Sequence, residues 1–390
     1  MSRSSADAPP KKRKKLLFVC SEDWYFVSHR MALARAAQVR GWEIIVACRA
    51  NEAAIGLREE GFRVIDLNIA RGGLNPVKSL ATVFSLWRLM RQEKPDIVVN
   101  VAIQCVILSA LAGLLAGVSR SVNMVTGLGF VFVSNGRKAR IVRAIISAVL
   151  RVYALFPSIK VIVQNHDDYE LMRQLGFSKS GLSLIKGSGV DLQKYLPVSD
   201  MREGDNPKTA IFVARMLWSK GLGELIGAAR LLQQKGRHYR IWLVGDVDLA
   251  NPDSANVSDL EQWQNDGLVE WLGRRSDIPA LLTQSDLAIL PSWREGLPKS
   301  LLEAAACGLA MVATDVPGCR EIVKHEETGL LVPMGDKPAL ADAIETLMED
   351  DASRRRFGQQ ARKMVEDELC DAIVVEKTLA VIEADQSFKK

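Results

Sequence analysis

Short apolar runs recur along this chain with room for a helix between them, and they predict strands over 16–20, 44–48, 64–66, 97–101, 121–125 and 161–164. Each run is too short for a buried helix and is bounded by charged, glycine or proline residues, as fully buried strands are. Helical periodicity fills the gaps; one helix is expected over 29–40, ending at Gly41, after a loop over 21–28 that holds Asp23, Trp24 and Tyr25. A second series supplies strands over 210–214, 241–244, 269–272, 287–290, 311–313 and 330–332, and the chain turns helical from 337. Between the two series, 191–207 is polar and reads as a linker. The alternation predicts two doubly wound α/β domains, 15–190 and 208–370, whose ligands gather at the carboxyl ends of parallel strands.

The segment 137–156 is the most amphipathic helix expected. At helical spacing Arg140, Arg143, Ser147 and Arg151 share one face, and Ile141, Val142, Ile145, Ile146, Val149 and Val152 cover the other. A core helix with a solvated basic face accounts for this; an in-plane membrane helix is the alternative.

Composition changes the picture modestly. The 390 residues exceed one comfortable core and suit two. With 48% hydrophobic and 25% charged residues the chain is globular, and its net charge of +5 is small. The one basic run, Lys11, Lys12, Arg13, Lys14 and Lys15, belongs to a tail over 1–14 that is expected to be disordered or to touch an anionic membrane surface. No basic, aromatic-rich module follows it, so nucleic acid is not an expected partner. The start lacks the apolar stretch of a signal peptide and no uncharged run reaches spanning length, which points to the cytoplasm. The six cysteines are scattered without Cys-x2-Cys pairs, as reduced thiols are, and a zinc site is not expected.

The chemistry concentrates in 286–308. A strand runs into a turn with Glu295, Gly296, Leu297 and Pro298, and a helix over 299–307 follows, with Ser300 in its first turn and Glu303 a turn inside. Gly296 would let backbone amides approach a ligand, and the helix start would favour an anion such as a diphosphate. Arg215 and Lys220 straddle another strand end, where a guanidinium fork and a mobile ammonium could face the same phosphates. The loop Gly273-Arg274-Arg275-Ser276 opens a helix with Ser276 as its cap. His29 and Thr126-Gly127-Leu128-Gly129 lie at strand ends of the first domain, on a possible acceptor side. Asp246-Val247-Asp248 is a short match to a metal motif, and no metal site is assigned to it. Gly-x-Gly-x-x-Gly after the first strand, a Walker lysine and a Gly-x-Ser-x-Gly elbow are all missing, which removes dinucleotide, NTPase and serine-hydrolase chemistry from the front rank.

The Glu295 to Glu303 stretch resembles the signature of the retaining glycosyltransferases of family 4, which have the GT-B fold of two Rossmann-like domains facing a cleft. Val213-Ala214-Arg215-x-Leu217-Trp218-x-Lys220-Gly221 is similar to the family's cation pair. Gly72-Gly73-Leu74-Asn75-Pro76, Thr126 to Gly129, Leu243-Val244-Gly245 with Asn251-Pro252, and Gly273 to Ile278 extend the likeness to the subgroup of N-acetylgalactosaminyltransferase type, which lengthens undecaprenyl-diphosphate-linked sugars. The first domain departs most over 22–27. The resemblance implies a UDP-sugar donor, a lipid-linked glycan acceptor and work at the inner leaflet of the bacterial inner membrane, without metal or other cofactor. It assigns ribose hydroxyls to Glu303, donor-sugar hydroxyls to Glu295 in the turn shaped by Gly296, Leu297 and Pro298, the departing diphosphate to Arg215 and Lys220, and the base to the backbone at Arg274. It also implies that the last segment, 371–390, returns to the first domain. A sugar-nucleotide epimerase on the same fold, with Glu295 and His29 as acid and base, and a GDP-sugar transferase are the alternatives.

Overall fold

A computed structural model describes residues 13–67, 69, 76–128, 136–197, 207–249 and 251–384. Lys11, Lys12, the segment 72–75, Gly129 and the linker portion 198–206 lie outside the described residues. Two compact units divide the chain, one formed by residues up to 124 together with those from 382, the other by 125–381.

Strands β1 (Lys15–Glu22), β2 (Glu43–Arg49), β3 (Arg63–Asp66), β4 (Ile97–Val101), β5 (Ser121–Val125), β6 (Ile159–Val163) and β7 (Leu182–Leu184) make a sheet in the order β3-β2-β1-β4-β5-β6-β7. Strands β8 (Thr209–Val213), β9 (Arg240–Val244), β10 (Glu270–Trp271), β11 (Leu287–Leu290), β12 (Ala310–Thr314) and β13 (Gly329–Val332) make a second, ordered β10-β9-β8-β11-β12-β13. The described pairings are parallel, and the central strands are buried on both faces, which is why they read as unbroken apolar runs. In each sheet the order reverses once, between β1 and β4 and between β8 and β11. Those reversals are where sheets of this kind receive ligands.

The elements differ from expectation in instructive places. Helix α1 (Asp23–Val39) begins at once after β1, so Asp23, Trp24 and Tyr25 are helical rather than in a loop. Buried Asp23 makes this possible: its carboxylate accepts from the amides of Trp24 at 2.7 Å, Asn51 at 2.5 Å and Ala54 at 3.0 Å. Strand β6 starts early because Lys160 interrupts the apolar run yet stays buried, donating Nζ to the Ser180 carbonyl at 2.8 Å. Helix α9 (Ile278–Thr283) takes Asp277, not Ser276, at its cap position, and Arg275 holds that carboxylate at 2.6 Å.

Helix α5 (Arg137–Ala154) matches the expected segment, but its buried residues are Ile146, Leu150 and Tyr153. Ile141 is 62% exposed, Ile145 49% and Val152 47%, so half of the aliphatic face meets solvent. At the far end, helix α14 (Asp371–Glu383) ends within the first unit, where Glu383 accepts from Arg40 Nη1 at 2.6 Å and from Trp42 Nε1 at 3.0 Å. Five of the six cysteines are buried, and Cys370, just before α14, is partly exposed.

Candidate active site

Helices α7 (Leu222–Gln234) and α10 (Lys299–Ala306) follow β8 and β11, the two strands flanking the reversal of the second sheet. A 3-10 turn over Trp218–Lys220 ends at Gly221 in the left-handed region, φ +79°, where a Cβ would sit 1.9 Å from the Pro291 carbonyl oxygen. Only glycine allows the two strand-end loops this approach. The Trp293 amide then donates to the Ser219 carbonyl at 2.9 Å, and Lys220 Nζ reaches Glu295 Oε1 at 2.5 Å, both side chains mostly buried. Two residues singled out in the sequence are thus an ion pair.

Arg215 is not part of that pair. Its Nη1 binds Asp248 Oδ2 at 2.7 Å on the half-exposed side of the loop after β9. Asp248, read from the sequence only as part of a weak metal motif, is therefore the arginine's counter-ion. No group of three or more His, Cys, Asp or Glu side chains arranged to hold a metal occurs among the described residues.

Gly296 has no space for a side chain, since a Cβ there would lie 1.8 Å from the Thr126 carbonyl oxygen. Gly127, φ +128°, packs on the same glycine from the other side of the contact. Thr126 and Gly127 therefore wall the Glu295 turn rather than standing apart from it. The Gly296 carbonyl accepts from Asn165 Nδ2 at 2.9 Å, and Arg294 is tied to Asp168 at 2.8 Å. Leu297 fills the space beside Gly187, whose added Cβ would be 2.7 Å from Leu297 Cδ2. The turn is held from several directions and needs no ligand to define it.

Pro298 occupies the cap position of α10 and no side chain caps the helix, so the amides of its first turn, with half-buried Ser300 among them, are open to an acceptor. One turn on, Glu303 is buried; Tyr195 Oη donates to its Oε1 at 2.6 Å, and Lys299 Nζ stands 3.8 Å away. Burial pushes the Glu303 carboxyl above its usual range, against the pull of Lys299 and Tyr195. Burial and the neighbouring carboxylate push the Tyr195 phenol up as well. Tyr195 was hidden in the stretch read as a linker; its only signal was an aromatic residue in a polar run. Arg274 is exposed. His29 belongs to the other unit, stacked on Tyr25 with ring centroids 4.1 Å apart.

An acid paired with a lysine, an uncapped helix start and a buried second acid thus stand at the reversal of the second parallel sheet, and two such Rossmann-like sheets are the GT-B architecture of glycosyltransferases. The chain belongs to the group 1, family 4-like glycosyl transferases: residues 15–165 match the family described as "Glycosyl transferase 4-like" and residues 199–364 "Glycosyl transferases group 1". It is 32% identical over 342 residues to the N,N'-diacetylbacillosaminyl-diphospho-undecaprenol alpha-1,3-N-acetylgalactosaminyltransferase of Campylobacter jejuni, covering 85% of this chain and 89% of that one. It is 27% identical to the Escherichia coli UDP-Gal:alpha-D-GlcNAc-diphosphoundecaprenol alpha-1,3-galactosyltransferase, with 79% and 81% covered. Among solved structures, Anabaena HepE in complex with UDP and glucose superposes with a TM-score of 0.74 at 20% identity, covering 95% of this chain and all (100%) of that chain. The fold class expected from the sequence is the one observed.

Proposed function

We propose that this glycosyltransferase moves a sugar from a UDP-sugar, with retention of anomeric configuration and without a metal, onto a polyprenyl-diphosphate-linked glycan in bacterial surface polysaccharide or glycoconjugate synthesis. The carrying observation is the Lys220–Glu295 pair beside the open start of α10, with Glu303 buried a turn further in. The donor diphosphate lies on the α10 amides, where Lys220 turns from Glu295 to the phosphates and frees that carboxylate for the sugar hydroxyls. Arg215 adds its free guanidinium nitrogens, steadied by Asp248. Glu303 accepts from the ribose hydroxyls. As the bond from the anomeric carbon to phosphate oxygen breaks, the acceptor oxygen bonds the same face and its proton passes to the leaving diphosphate. Charge grows on that diphosphate in the transition state, and one lost donor of this kind costs on the order of a hundredfold in rate.

The substrates named for the Campylobacter and Escherichia relatives, and the UDP held by HepE, support this choice of donor and acceptor. Among the described residues no helix is long and apolar enough to cross a membrane. The lipid-linked acceptor is met, in this reading, by docking at the cytoplasmic surface of the inner membrane. The exposed aliphatic stripe and the arginines of α5 serve that contact.

UDP- and GDP-sugars incubated with short polyprenyl-diphosphate glycans test the reading. A UDP-sugar is expected to give an axially linked product by NMR. Transfer from GDP-sugars alone, an inverted linkage, or conversion of the UDP-sugar without any acceptor would each overturn it, the last in favour of an epimerase.

A further inference from the structure

The first unit holds an arginine with no described partner. Arg30, on α1, is 5% exposed, its Nε is buried without a hydrogen-bond acceptor, and it enters no described hydrogen bond or ion pair. A buried guanidinium of this kind is costly, because desolvation is not offset by a counter-charge. Two buried carboxylates are close in sequence, yet neither turns to it. Asp23 is taken up by the amides of Trp24, Asn51 and Ala54, and Glu22 faces Asn51 and Arg49.

The guanidinium lies at a telling place. Long side chains on a helix lean toward its amino end, and the titratable groups around Arg30 are Tyr25, in the first turns of α1, and Cys20, near the carboxyl end of β1. That end of β1 borders the point where the first sheet reverses, beside β4. An open parallel sheet receives its ligand at such a strand end, and Arg30 is the buried, unpaired cation beside it.

We infer that Arg30 is the anion-binding residue of a second site, at the β1/β4 reversal, that takes the diphosphate of the lipid-linked acceptor. This deepens the acceptor reading above and rests on it. An arginine fork suits two phosphate oxygens at once, and the donor's diphosphate has its own cations, Arg215 and Lys220, on the other sheet.

The test uses the full chain with UDP in excess, so that the donor site is filled. Farnesyl diphosphate, farnesol and inorganic pyrophosphate are titrated calorimetrically into the native protein, Arg30→Met and Arg30→Lys. Farnesyl diphosphate is expected to bind the native chain, to lose on the order of tenfold or more in affinity in Arg30→Met, and to recover partly in Arg30→Lys. UDP affinity is expected to stay unchanged in both variants. Arg30→Met is expected to melt no lower than the native protein, since it removes an unpaired buried charge; a collapsed fold in both variants would make the arginine structural and overturn the inference. Equal farnesyl diphosphate binding in all three proteins, or farnesol binding lost in parallel, would overturn it too. Pyrophosphate bound as tightly as farnesyl diphosphate would assign the site to a free anion and remove the acceptor from it. Arg30-dependent binding without sugar transfer to any lipid diphosphate would uphold the site and refute the acceptor reading alone.

Discussion

Glu303 sits where an ionised carboxylate is costly, and burial holds its proton on to a higher pH than an exposed glutamate would. Between the ordinary glutamate value and this raised one, the native state binds more protons than the unfolded chain. Its contribution to stability is therefore fully present below the ordinary value and fades as pH rises through the raised one. Donor binding runs the other way, since ribose hydroxyls need the ionised form as acceptor. UDP affinity should fall on mild acidification with a midpoint above the usual glutamate range, and Glu303→Gln should flatten that limb. Calorimetry of both proteins across pH separates the side chain from the titration of UDP's own phosphate; superimposable profiles would refute the ribose assignment. Spacing along the sequence singled out Glu303 and Glu295, because a strand-to-helix turn puts neighbours in sequence near one another in space. It could not locate Tyr195, whose phenol meets Glu303 only through the tertiary fold.

At the scale of elements, the extent of α5 was legible and its packed face was not. The period of α5 announced a helix with an apolar side, yet an arc wide enough to hold six aliphatic residues does not say which part of it packs. The fold buries Ile146, Leu150 and Tyr153 and leaves Ile141, Ile145 and Val152 outside, beside exposed Arg140 and Arg151. Such a helix has two independent means of holding a membrane. Each arginine near an anionic leaflet contributes ~1 kcal/mol and is screened by salt; the aliphatic stripe contributes about 25 cal/mol per Å² buried and is not. Replacing Arg140 and Arg151 by Gln should abolish the salt-sensitive part of co-sedimentation with anionic vesicles, and Ile145→Ser with Val152→Ser the part that survives salt. Native protein left in the supernatant with every vesicle composition would end the docking proposal. The start of α1 was misread for a related reason: Asp23 looked like a loop residue until Asn51 and Ala54 supplied the amides that make it a buried anchor.

For the whole molecule, the two parallel sheets could be read from apolar runs except for the three-residue β7, because central strands buried on both faces carry no polar alternation to hide them. What the sequence withheld is the set of contacts between distant segments, Thr126 on Gly296 and Asp248 on Arg215 among them. The second bears on metal use: an aspartate already neutralised by arginine is a poor ligand, and turnover should persist in EDTA. Activity lost to the chelator and restored by manganese would reinstate Asp246 and Asp248. The cysteines carry a practical consequence. Burial raises the thiols of Cys20 to about 11 and of Cys48 and Cys307 to about 12, and raises those of Cys105 and Cys319 as well. An alkylating dye, which needs thiolate and access, should leave all of these intact in the folded state. Cys370 is the one thiol with access to solvent, so the native sequence offers a single attachment point for a fluorophore at the foot of α14. Mass spectrometry should find one label per folded chain and six after denaturation, and the dye's emission can then report on that helix as substrates arrive, with no cysteine engineered or removed.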